Sequence, residues 1–214
     1  MLVVKAGRKS LKSCSRSTTR VCPSCMPGER HRITRPVLGV SLLGEVPSSL
    51  PRALECWLQI LNTLAYLQQN GLPHSNLTRR TIVVPPSGHV KLTEVGARTL
   101  PNYQECADDL ADLSFLSGDA LMGPKSTGGE QFEAGSIGYY LFTGQTLYQG
   151  DFLQILQKLL SNEVKRPPTQ LRAELPKAVE EVILRMLSHN PADRYPDLAQ
   201  AEAAARKAVL GCSS

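Results

Sequence analysis

A chain of 214 residues with 42% hydrophobic and 20% charged side chains has the size and composition of one globular domain with a sizeable core. No apolar run approaches the length of a membrane span and no N-terminal stretch has signal-peptide character, so neither a transmembrane helix nor secretion is expected, and a cytoplasmic location is. The net charge of +5 is unevenly placed: residues 1–36 hold nine Lys or Arg against one acid, Glu29, a balance of +8 that leaves −3 for the remainder.

The chain therefore divides into a basic tail (1–36), a folded body (37–210) and a short end (211–214). The tail is rich in Ser and Thr and poor in apolar side chains, so it is expected to be disordered. It is read as a solvated basic segment; contact with nucleic acid or an anionic membrane is the alternative its charge allows. A mitochondrial presequence has a similar composition, but no clear amphipathic helix accompanies it here. The six cysteines (Cys14, Cys22, Cys25, Cys56, Cys106 and Cys212) are expected to be reduced thiols. Cys22 and Cys25 have the spacing of half a zinc site or a redox pair, and Cys14 and His31 would complete a tetrahedron. With no second pair and no following strand–helix unit, the spacing is read as incidental.

In chain order, apolar residues recur every three or four positions from Leu50 to Gln69, the pattern of an amphipathic helix. Pro51 suits its first turn and Asn70-Gly71 its end. Two short strands follow, Thr81–Val84 and Val90–Thr93, joined by the turn Pro85–Gly88. Residues 97–129 read as a long loop with one short helix near Asp108–Leu116. Phe132–Gly144 is apolar on nearly every face, as a buried helix is. Asp151–Leu160, with Phe152, Ile155, Leu156 and Leu159 on one side, and Lys177–Ser188 are further amphipathic helices. An Ala-rich helix, Asp197–Leu210, closes the body. The expected class is mainly α (α+β) with one strand pair. His74, Asn76, Thr78 and Glu94 are polar residues on loops held by those strands, where functional groups concentrate.

This order of elements, with the words "LQILNTLAYLQQNGLPHSNL", "SGHVKLTEVGA", "GSIGYYLFTGQ" and "ELPKAVEEVILRMLSHNPADRYPD" inside it, resembles the C-terminal lobe of a eukaryotic-type Ser/Thr protein kinase over about residues 37 to 210. The upper lobe has no counterpart: nothing matches the Gly-rich loop, and "LVVK" resembles the lysine strand only faintly. "RPVLGVSLLGEVPSSLPRALECW" resembles the linker between lobes and the first small helix after it.

The resemblance assigns positions residue by residue. Asn76 stands at the catalytic Asp, Thr78 at the phosphate-neutralising Lys, Thr81 at the magnesium-binding Asn, and Glu94 at the metal-binding Asp, with Gly96 closing that motif. An amide orients a hydroxyl but takes no proton. A Thr hydroxyl is a poor metal ligand, and Glu keeps the carboxylate on a longer arm. Ser75 replaces an Arg, and His74 is expected to pack and hydrogen-bond rather than act as a base. Glu130 falls where the central helix begins with an Asp that supports the catalytic loop. Lys125 falls at the acid that pairs with a buried Arg, here Arg194, so that pair would repel.

Loss of base, phosphate cation and metal ligand together implies an impaired catalyst: a pseudokinase acting by binding or regulation, with a protein partner or self-association. One alternative is a divergent Ser/Thr kinase using ATP and magnesium through Asn76, Glu94 and a nearby Arg, with its upper lobe outside this sequence. The other is a non-catalytic scaffold whose basic tail binds.

Overall fold

The computed structural model describes residues 41–42, 49–84, 88–96, 113–118, 127–161 and 165–211. Five α-helices and a small antiparallel sheet make up this part. The first helix, α1 (Leu50–Gln69), runs over the residues its periodicity marks. Pro51 lies in its first turn, where a missing N–H costs nothing. It ends at Asn70, and Gly71 takes φ +68°, which glycine adopts without a Cβ clash. Ala53, Trp57, Ile60, Leu61 and Leu64 form its buried stripe.

The second helix, α2 (Thr127–Thr143), begins five residues before the expected start at Phe132. Its extra turn contains Gly128 and Gly129, poor helix formers. Glu130 and Gln131, buried in that turn, hydrogen-bond to the backbone of Ser75 and Tyr195, so tertiary contacts override propensity. From Glu130 to Phe142 every residue is buried, as its lack of a polar face implies. α2 packs on α1 through Trp57, whose indole meets Phe142 edge-on at 5.4 Å and donates Nε1–H to the Ala134 carbonyl at 3.1 Å. The helices approach this closely because residue 138 is glycine: a Cβ there would lie 2.5 Å from Trp57 Nε1.

α3 (Phe152–Leu160) opens with a capping box in which the Asp151 carboxylate accepts the Gln154 N–H and the Gln154 side chain accepts the Asp151 N–H. It buries Ile155 and Leu159 but leaves Phe152 half exposed, contrary to its expected inward position. α4 (Lys177–Met186) packs on α2 and α5 (Leu198–Leu210), and α5 packs on α1. Two glutamines fasten these layers by bonding backbone. The Gln131 side chain donates to the Tyr195 carbonyl (3.0 Å) and accepts its N–H (2.8 Å). Gln68 accepts the Leu198 N–H at the start of α5 (2.8 Å).

The sheet has three strands, one more than the strand pair expected: β1 (Ser41–Leu42), β2 (Ile82–Val84) and β3 (Lys91–Leu92), in that order and antiparallel. β1 pairs Ser41 with Val84, and β3 pairs Leu92 with Ile82. Two residues carry no alternation, so β1 left no period to read. The turn before β3 is pinned to α1: Arg52 donates to the Gly88 carbonyl (2.6 Å) and Gln59 accepts the Val90 N–H (2.8 Å). The proposed helix near Asp108–Leu116 falls mostly outside the described residues, as do Lys125 and the group Cys14, Cys22, Cys25 and His31.

Candidate functional site

The loop from His74 to Thr81 connects α1 to β2 and is buried along most of its length; His74 and Leu77 are fully enclosed. A buried loop must satisfy its backbone locally. The Ser75 N–H donates to Glu130 Oε1 on α2 at 2.6 Å, a bond that spans 55 residues of chain. Ser75 sits at φ +60°, a conformation that persists in a non-glycine residue only where surroundings enforce it. The buried Glu130 carboxylate is one such constraint. Glu130 thus ties the start of α2 to the loop.

The Asn76 N–H points to His74 Nδ1 at 3.4 Å, and the His74 carbonyl accepts the Gly96 N–H at 2.9 Å. Gly96 lies at φ +71°. The Thr81 hydroxyl accepts the Thr78 N–H (3.0 Å) and lies within donating distance of the Asn76 and Thr78 carbonyls (3.1 and 3.0 Å). The Thr78 hydroxyl accepts the Arg80 N–H at 3.2 Å. Both hydroxyls brace the loop from within, an ordinary use of Ser and Thr in turns. Arg79 and Arg80 are half-buried beside them.

Across from this loop the turn after β3 carries Glu94, exposed and at φ +59°. Asn76 Nδ2 donates to Glu94 Oε2 at 3.2 Å. The structure thus brings together His74, Asn76, Thr78, Thr81, Glu94 and Gly96 within one hydrogen-bonded unit. The direct Asn76–Glu94 bond has no signature in the sequence, because 18 residues and a hairpin separate the partners. Among the described residues, no group of three or more His, Cys, Asp or Glu is placed to hold a metal.

Arg194 lies apart from that unit, almost fully buried. Its guanidinium donates to the Ser188 and His189 carbonyls (2.8 and 3.2 Å) and stacks over Phe132 at 5.2 Å. Lys165 approaches the same ring at 5.7 Å. Burial, and then the nearby Arg194 charge, push the Lys165 ammonium below its ordinary pKa.

The chain matches no protein-family model. Among curated proteins it is similar to serine/threonine-protein kinase PknE of Mycobacterium tuberculosis, 26% identical over 176 residues, 80% of this chain and 31% of that protein. PknE of Mycobacterium bovis is alike to the same degree. PknA of M. tuberculosis is 28% identical over 152 residues, 69% of this chain and 34% of that protein. Its homologues are Ser/Thr protein kinases. The mainly helical body with a small antiparallel sheet is consistent with a kinase C-lobe-like fold. The chain spans about a third of the length of the curated relatives it matches. No helix among the described residues is long and apolar enough to cross a membrane.

Proposed function

We propose that the chain is a pseudokinase, a kinase-like module on a lower-lobe scaffold that acts by binding or regulation rather than by phosphoryl transfer. The observation that carries this reading is the use to which the loop puts its polar groups. Phosphoryl transfer needs a group to orient the attacking hydroxyl, a cation for the phosphates, and acids for magnesium. At those positions Thr78 and Thr81 spend their hydroxyls on neighbouring backbone, and Asn76 spends an amide N–H on Glu94. Glu94 is the one carboxylate left among them. The partner in this reading is a protein or a second copy of the chain.

A second reading, a divergent Ser/Thr kinase using ATP and magnesium, draws on the exposed Glu94 carboxylate with Arg79 and Arg80 half-buried in the adjoining loop. Thermal melting of the purified chain with ATP and magnesium separates the two. A ligand of the native state raises Tm as its concentration exceeds Kd. The pseudokinase reading expects no shift at millimolar nucleotide. A dose-dependent rise of several degrees, with phosphate transfer to a protein substrate, would establish the kinase.

A further inference from the structure

We infer that Asn76 is a positioning residue whose side-chain amide does the work of a cation. It joins the loop 74–81 to the turn 93–96 and makes the geometry of that junction independent of divalent metal. The links across the junction include Thr93 N–H and the Thr93 hydroxyl to the Thr81 carbonyl (2.8 and 3.2 Å), Gly96 N–H to the His74 carbonyl (2.9 Å), and Asn76 Nδ2 to Glu94 Oε2 (3.2 Å). The bonds of Thr93 and Gly96 hold the flanks of the turn. The Asn76 bond reaches Glu94 itself.

Glu94 needs that hold. It and Ser75 are the non-glycine residues with positive φ among the described residues, and they stand on the two facing segments. A left-handed glutamate is strained relative to an ordinary conformation, so the turn relaxes unless something fixes it. Glu94 is also an anion with only acceptor atoms. A group at hydrogen-bond distance must therefore donate. The Asn76 amide supplies an N–H there. A carboxylate at position 76 would set two acceptors face to face, a pair that stays in contact only with a proton or a cation between them. One residue identity thus decides whether the junction is closed by an internal hydrogen bond or by an external metal.

The test exchanges the two groups in the full chain and uses magnesium chloride and calcium chloride, without nucleotide, as probes. Wild type should melt at the same temperature in chelator and in millimolar cation. Asn76→Asp should melt several degrees lower in chelator, regain the loss with either cation, and exchange the Gly96 amide about tenfold faster, the factor expected of a single lost local contact. The double variant Asn76→Asp with Glu94→Gln restores a carboxylate–amide bond in the reverse sense. It should recover the melting temperature and lose the cation response, giving strong non-additivity in the cycle. A simple packing role for Asn76 predicts additive losses and no cation response. That outcome overturns the inference, as does a wild-type chain stabilised by magnesium or calcium alone. If Asn76→Asp does not fold in chelator, rescue of folding by cation or by Glu94→Gln supports the inference, and failure of both overturns it. Because nucleotide is absent throughout, any of these results leaves the kinase question to its own assay.

Discussion

Glu130 shows how much one side chain can set. Its carboxylate is buried at the start of α2 and accepts the N–H of a left-handed Ser75. Glu130→Ala strands that N–H in a buried site, which costs about 1–3 kcal/mol, whereas Glu130→Gln keeps an acceptor and should cost less. Chemical denaturation of the two variants checks the order; equal losses would mean that volume, not the bond, matters. Tyr139 makes a separate test through pH. Burial raises its phenol above the ordinary value of 10.0, and Arg166 partly opposes this. The folded state therefore keeps the proton after the unfolded chain has begun to lose it. The stability this contributes is fully present below pH 10 and is lost as pH rises through the folded pKa. Tyr139→Phe should match wild type at neutral pH and lose less stability above pH 10, read as Tm against pH.

At the scale of elements, the α1–α2 contact depends on an absent side chain. A methyl at residue 138 would press on Trp57, 2.5 Å from its Nε1, and push the indole away from the Ala134 carbonyl. Overpacking of this kind costs about 1–3 kcal/mol, despite alanine's better helix propensity. Gly138→Ala should therefore lower Tm and red-shift the fluorescence of Trp57; a gain in stability would show that the helices can part without loss. Helix α3 depends instead on its cap. Asp151→Ala removes the acceptor for the Gln154 N–H and should cost about 1 kcal/mol, measurable in urea. The two substitutions differ in reach, since α3 buries only Ile155 and Leu159 whereas α2 is enclosed.

Taken whole, the described helices share one core from Ala53 on α1 to Ala208 on α5. Gln68 and Gln131 tie α1 and α2 to the start of α5 and to the segment before it, so these elements should not unfold separately. Trp57 is the chain's single tryptophan and lies at the centre of this core. Its fluorescence and the far-ultraviolet circular dichroism should trace one coincident transition. Separated midpoints would reveal an independent sub-unit. Trp57 itself is enclosed, and the exposed apolar side chains include Leu72 and Val95 near the loop and Phe152, Leu153 and Leu160 on α3.

Period was enough to place α1 and α4, which present an apolar stripe to one side, and alanine content placed α5; α1 also carries its own start and stop signals. The enclosure of α2 was equally legible from its lack of a polar face. The ends of the strands were not, since β1 and β3 are two residues long and exist only through the partners that the chain brings beside them. The same holds at the site. The sequence by itself supplied the residue types at each loop position, and with them the shortage of charge. Only the tertiary structure decided that Thr81 turns inward to its own loop, that α2 starts early enough for Glu130 to reach Ser75, and that Asn76 meets Glu94. Those outcomes depend on distances between segments far apart in the chain, and such distances are set by packing that no local pattern encodes.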